Sequence, residues 1–306
     1  MTELINEFKW SVSRQRHLQE CQRLFYLNHY AHWGGWQLQA DDFTKMCYRL
    51  TKMKNLDTWA GEIVHEMIYE TLQKVRTDQP VHLEAIISRA IDKLRVGWVQ
   101  SKDEQWRLDP KRRVNLFEHY YTREVTRERT DEIKQRVVQC LENFCQSPAF
   151  QFIQQVGPDG WKCLEEFQSF AVERFTVALR IDFALEHDGW LYIYDWKTGQ
   201  PADEDLMQLV CYALYGIKAW GFPVDRIKII LAYLRPNLFQ EHHPSPQEII
   251  EAQDRILQGC YQMMSLLSDP GSNRASIENF PMTLDRWKCK RCFFWEACYG
   301  HRRIEP

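Results

Sequence analysis

Residues 175–199 read FTVALRIDFALEHDGWLYIYDWKTG. Two runs rich in β-branched and aromatic residues, Phe175–Glu186 and Trp190–Trp196, flank Asp188-Gly189, a dipeptide suited to a tight hairpin turn. Both runs read as strands. Glu165–Glu173 upstream and Arg226–Leu234 downstream have the same character. Glu204–Trp220, between the last two, carries apolar residues at helical spacing. The order β-β-β-α-β predicts an α/β core.

The same stretch carries the chemistry. Strand side chains alternate between faces, so Arg180 shares a face with Asp182, and Asp195 with Lys197. Pairing through the hairpin lets both carboxylates converge. Two carboxylates suit Mg²⁺ or Mn²⁺, and a neighbouring lysine can orient water or offset charge on a phosphate. The alternative is a surface hairpin with solvated charges. Against it, Asp195 and Lys197 follow the apolar run Trp190–Tyr194, where an unpaired charge is costly. His65, on a helix four residues after Gly61, is either an ordinary satisfied imidazole or a further metal ligand. Gln208 and Tyr212 lie one turn apart, either as a helix-boundary pair or as contacts to a substrate backbone.

Outward from this core the chain divides into four regions. Residues 1–75 read as helical, and Leu56–Val75 has an apolar stripe that Asp57 or Thr58 can cap. Residues 76–160 read as a helical insertion, interrupted near Asp109-Pro110. Residues 161–240 form the α/β core. Residues 241–306 hold one more helix, over 245–268, and then an irregular segment. No run approaches the roughly 20 apolar residues that cross a bilayer. The net charge of −3 excludes a generally basic nucleic-acid coat, so any nucleic-acid binding must use local patches. Arg14, Arg16, Arg23 and Lys111-Arg112-Arg113 are candidates for such patches.

Ten cysteines are present. Cys47, Cys140, Cys145, Cys163, Cys211 and Cys260 have no ligand spacing. Cys289, Cys292 and Cys298 form C-x2-C-x5-C, flanked by Lys288, Lys290 and Arg291, which favour thiolates. Cys21, in a helical segment at the far end of the chain, is the fourth candidate. Four thiolates hold either zinc or an iron–sulfur cluster, and here they would clasp the two ends of the fold. Without an N-terminal apolar run like a signal peptide, a disulfide framework is not expected. The reading is a reducing, cytoplasmic location.

Gly61-x3-His65, Asp182, Asp195-x-Lys197-Thr198-Gly199 and Gln208-x3-Tyr212 together resemble the PD-(D/E)XK nuclease superfamily. Tyr194–Gly199 is similar to the Asp-Tyr-Lys-Thr-Gly signature of its RecB-like branch. The segment around Cys21 and the C-terminal cysteine trio resemble the cluster motifs of iron–sulfur members, among them the CRISPR-associated RecB-like nucleases, the AddB nuclease domain and exonuclease V. The resemblance covers both ends and the core, but not residues 80–155.

It implies a restriction-endonuclease-like core, a mixed sheet flanked by helices, with His65, Asp182, Asp195 and the Trp196 carbonyl as metal ligands. Lys197 would act on the water, with Asp182, Asp195 and Lys197 as the catalytic set. Arg180, Gln208 and Tyr212 would contact the substrate. Glu165 or Glu166 would stand outside the ligand set. Cys21, Cys289, Cys292 and Cys298 would ligate a [4Fe–4S] cluster. Leu179 stands where the family has glycine, and Trp196 where it has tyrosine; neither change removes a catalytic group. The implied activity is metal-dependent hydrolysis of DNA, exonuclease or flap cutting on a single-stranded end, in repair, recombination or CRISPR-related processing. The alternative is a non-catalytic or partner-dependent end-binding subunit of a helicase–nuclease or CRISPR integration complex.

Overall fold

The computed structural model describes residues 5–201 and 205–304. Five strands form one sheet in the order β1-β2-β3-β4-β5: β1 Trp161–Val172, β2 Phe175–His187, β3 Trp190–Lys197, β4 Ile227–Tyr233 and β5 Leu238–His242. All neighbours are antiparallel except β3 and β4, which run parallel. A parallel pair needs a crossover, and the helix Asp205–Trp220 supplies it. The sheet is therefore mixed and flanked by helices. The expected start of that helix, Glu204, lies outside the described residues.

In chain order the helices are α1 Val12–Glu20, α2 Gln22–Tyr26, α3 Asp42–Leu50, α4 Leu56–Arg76, α5 Leu83–Lys102, α6 Phe117–Tyr120, α7 Arg127–Gln146, α8 Pro148–Val156, α9 Asp205–Trp220, α10 Pro246–Ser265, α11 Arg286–Lys290 and α12 Trp295–Tyr299. The sheet separates two cores. One joins α9 and α10 to Ile193, Ile227 and Ile229. The other joins α4, α5, α7 and α8 to Phe183, Leu185, Tyr194 and Trp196. The helices of residues 76–160 thus share a core with the sheet and with α4. A third cluster ties Leu27 and α3 to Phe117, Phe294 and Trp295. Each such buried large side chain contributes roughly 1.5–3 kcal/mol.

Two features set the position of the site. The β2–β3 ladder ends at Phe183 and Tyr194, so Asp182 and Asp195 stand just past it, where the strands part. Gly216 brings α9 close onto β3, since a Cβ there would lie 2.6 Å from Leu191 Cδ2.

Three local expectations are corrected. The cap of α4 is Asn55, whose Oδ1 accepts from the Thr58 N–H at 2.8 Å, rather than Asp57 or Thr58. Asp57 instead pairs with Arg129 and Arg136 of α7. Strand β5 escapes sequence reading because it is an edge strand with no fully buried residue. The C-terminal segment contains α11 and α12, each only five residues long, too short to show a hydrophobic period.

Candidate active site

Helix α4 brings His65 to the parting strands. Its Nδ1 lies 3.1 Å from Glu165 Oε1 and 3.7 Å from Asp182 Oδ1. Gly61, one turn earlier, lets α4 approach the loop after β3, where a Cβ would meet Thr198 Oγ1 at 3.1 Å. Asp182 is buried, and its Oδ2 accepts the Trp196 N–H at 2.8 Å. Trp196 thus reaches this corner through its backbone N–H. Its indole lies in the helical core, stacked on Tyr194 and edge-on to Phe144.

Glu165 has a left-handed backbone, φ 52°, within β1. For a non-glycine residue this conformation is strained, of order 1–3 kcal/mol. Arg180 holds it there: Nε lies 2.9 Å from Glu165 Oε2 and also donates to the Glu165 carbonyl at 3.3 Å. Of the two adjacent glutamates, Glu165 enters the corner. Glu166 is exposed and bonds Gln168. The strand preceding the hairpin could be read from sequence, but the turn of one residue toward His65 could not.

On the α9 side, Lys197 Nζ lies 2.8 Å from Asp195 Oδ2 and donates to Gln208 Oε1 at 3.0 Å. Gln208 Nε2 donates to Asp195 Oδ1 at 3.3 Å and to the Tyr212 hydroxyl. The Tyr212 hydroxyl donates to the Arg180 carbonyl at 2.9 Å. One network therefore links Asp195, Lys197, Gln208, Tyr212 and Arg180. Leu179 is half-buried and lines the adjoining groove.

Electrostatically the corner is short of positive charge. Three carboxylates, Glu165, Asp182 and Asp195, face two basic side chains, Arg180 and Lys197. Burial pulls the His65 pKa down, but Asp182, Glu165 and Asp195 outweigh it and hold the imidazole up at about 9. Burial pushes the Asp182 carboxyl up, as do Asp195 and Glu165, against the pull of His65. Burial thus raises Asp182 but opposes the rise of His65, while the neighbouring carboxylates raise both.

His65, Glu165 and Asp182 present ligand atoms within 4.8 Å of one another. Asp195 is buried, and its Oδ2 is ion-paired with Lys197 Nζ at 2.8 Å. Two carboxylates and an imidazole gathered this closely fit a divalent cation.

The cysteines meet elsewhere. Cys21, at the junction of α1 and α2, lines one small apolar cavity of about 20 Å³ with Cys289, Cys292 and Cys298. The Thr283 N–H donates to Cys21 Sγ and the Phe294 N–H to Cys292 Sγ, each at 3.4 Å. Burial raises the Cys298 thiol to about 11, and burial with Cys298 and Cys21 nearby raises Cys292 further. Four cysteines lining one cavity, two of them accepting backbone N–H bonds, are a donor set suited to a thiolate-bound metal or cluster. Among the described residues all ten cysteines are free thiols.

The basic candidates divide. Arg14 donates to the Lys9 carbonyl and Arg23 to the Phe280 carbonyl, so both serve the fold. Arg16 lines the groove beside the corner, and Lys111 and Arg112 line a separate one.

With this geometry in view, comparison with family models matches residues 9–299 to the PD-(D/E)XK nuclease superfamily, and the chain belongs to that superfamily. The mixed five-stranded sheet between helices is its restriction-endonuclease-like fold. Members are metal-dependent nucleases, so the protein is of a phosphodiester-cleaving class. No curated protein matches the chain. No helix among the described residues is long and apolar enough to cross a membrane.

Proposed function

We propose that this protein is a metal-dependent deoxyribonuclease of the RecB-like, iron–sulfur kind, acting on a single-stranded end or flap. The observation that carries the reading is the convergence of His65, Glu165, Asp182, Asp195 and Lys197 where β2 and β3 part. His65, Glu165 and Asp182 would hold the cation, with Asp195 beside them paired to Lys197. Bound there, Mg²⁺ or Mn²⁺ supplies Lewis acidity toward the scissile phosphate and toward water.

The protein groups do the positioning. Trp196 N–H fixes the Asp182 carboxylate. Gln208 holds the Lys197 ammonium beside Asp195. Lys197 orients the attacking water and offsets charge that develops on the phosphate. Tyr212 and Arg180 border the path of the substrate strand. Glu165 thereby moves from the outer position expected for it into the ligand set.

A [4Fe–4S] cluster on Cys21, Cys289, Cys292 and Cys298 would crosslink the ends of the chain, and ten unpaired thiols suit a reducing, cytoplasmic setting. Repair, recombination and CRISPR-related processing all fit such an activity.

Single-stranded DNA labelled at its 5′ or 3′ end tests the reading, with Mg²⁺ or Mn²⁺ and anaerobically purified wild type beside Lys197→Ala. Metal-dependent cutting by wild type, absent in the variant, is expected, and the product ladders give polarity. If neither protein cuts while both bind DNA, the reading fails in favour of an end-binding subunit of a helicase–nuclease or integration complex.

A further inference from the structure

We propose that Phe167, stacked with Arg180, is the platform on which an unpaired base rests as its strand enters the acidic corner. This rests on the nuclease reading of that corner and adds how a single strand is gripped there. Phe167 lies on the edge strand β1 and is 82% exposed. A large ring held this open on a strand contributes almost nothing to the core. Its neighbour is cationic: the Arg180 guanidinium lies 5.2 Å from the ring centroid. Arg180 is itself fixed, by Glu165 on one side and through its carbonyl by Tyr212 on the other. The platform is therefore coupled to the same residues that shape the corner.

A groove of about 360 Å³ runs from Gln208 and Tyr212 past Phe167 and Arg180 to Ser11, Ser13 and Arg16. Among the described residues no carboxylate lines it, in contrast to the corner it leads into. Its far end is built deliberately. Trp10 pairs with the free side of β2, Trp10 N–H to the Thr176 carbonyl at 2.9 Å and Ala178 N–H to the Trp10 carbonyl at 2.8 Å, which brings the start of α1 there.

Cations and hydroxyls suit backbone phosphates, and an exposed ring beside a guanidinium suits a base face. A base inside a duplex has both faces covered by its neighbours, so this platform favours unpaired nucleotides.

The test uses full-length protein with Ca²⁺ in place of Mg²⁺, and single-stranded oligonucleotides carrying 2-aminopurine at one position each. Wild type should quench one position. Phe167→Ala should lose that quench and bind about tenfold more weakly, equivalent to about 1.4 kcal/mol, and Phe167→Trp should restore both. Affinity for a blunt duplex should not change. Unchanged quenching and affinity in Phe167→Ala would overturn the platform. Cleavage with Mg²⁺ is scored separately. Wild-type cutting with an indifferent Phe167→Ala refutes the platform and leaves the nuclease standing. A position-specific quench without wild-type cutting keeps the platform and refutes the nuclease.

Discussion

Around His65, charged side chains are held by hydrogen bonds to a sheet and to two long helices. Around Cys292, four sulfurs are held by helices of nine residues or fewer and the turns between them. The acidic corner takes its shape from β1, β2, β3, α4 and α9, which the two large hydrophobic cores hold together. The thiol corner joins Cys21 to a segment nearly the whole chain away. Its other ties are the hydrophobic cluster around Phe294 and Trp295 and side-chain bonds such as Tyr121 to the Phe293 carbonyl at 2.7 Å and Arg123 to the Lys290 carbonyl at 2.6 Å. Helices this short do not hold themselves together. The difference teaches where each corner gets its support: one from a sheet and long helices, the other from short helices and turns packed on a small hydrophobic cluster.

The largest expected effect separates activity from stability. Asp182→Asn keeps the shape of the side chain and removes one charge from a corner that has too many. Cleavage should fall on the order of 10²–10³-fold or more, while the thermal midpoint of the metal-free protein holds or rises. Single-turnover cleavage beside a melting curve checks this, and a falling midpoint would erase the contrast between the corners.

Next comes Cys292→Ser, expected to show the reverse. Bound iron should be lost and stability should drop by about 2–5 kcal/mol, the scale for removing a native crosslink. Iron analysis with urea unfolding reads both. Loss of iron at unchanged stability would make the thiol corner as independent as the acidic one.

pH should act on the two sides with opposite sign. His17 and His29 form a contact at 3.1 Å beside the Cys21 helix. Burial, aided by Arg16 and Arg14, depresses His17 to about 4, and burial with Arg14 and His17 depresses His29 to about 2. Below pH ~6.5 the unfolded chain takes up protons that these rings refuse, so their side loses stability as pH falls toward 4. His65, held up at about 9 by its carboxylates against the effect of burial, contributes stability below pH ~6.5 and loses it as pH rises through 9. A midpoint-versus-pH series on metal-free protein should show both limbs. His17→Gln should flatten only the acid limb.

The smallest effect is local to α4. Asn55→Ala removes its cap and should cost about 1 kcal/mol by urea unfolding, with iron content untouched.

Much of the core is legible in the chain because buried strands write themselves as β-branched and aromatic runs. Phe175–His187 and Trp190–Lys197 end within a residue of where the pattern stops. Strand β1 starts earlier than its pattern, at Trp161, because the residues before Glu165 pair across an irregular register. Strand β5 has no pattern to read, since an edge strand buries little. At the site, Asp195 and Lys197 share a face by strand alternation alone, and Gln208 and Tyr212 share one by helical spacing. Glu165 against Glu166 could not be decided that way, because one left-handed residue overrides alternation.

The sequence by itself determined the α/β order, the two acidic strands, the lysine beside them and the spacing of three cysteines. These are local patterns of period and spacing, set by backbone geometry. Only the tertiary structure decided which glutamate meets His65, that Asn55 caps its helix, that Cys21 lies among the other thiols, and that Phe167 stands open beside Arg180. Each of these depends on contacts between residues remote in the chain, where packing and the local balance of charge, rather than periodicity, select the partner.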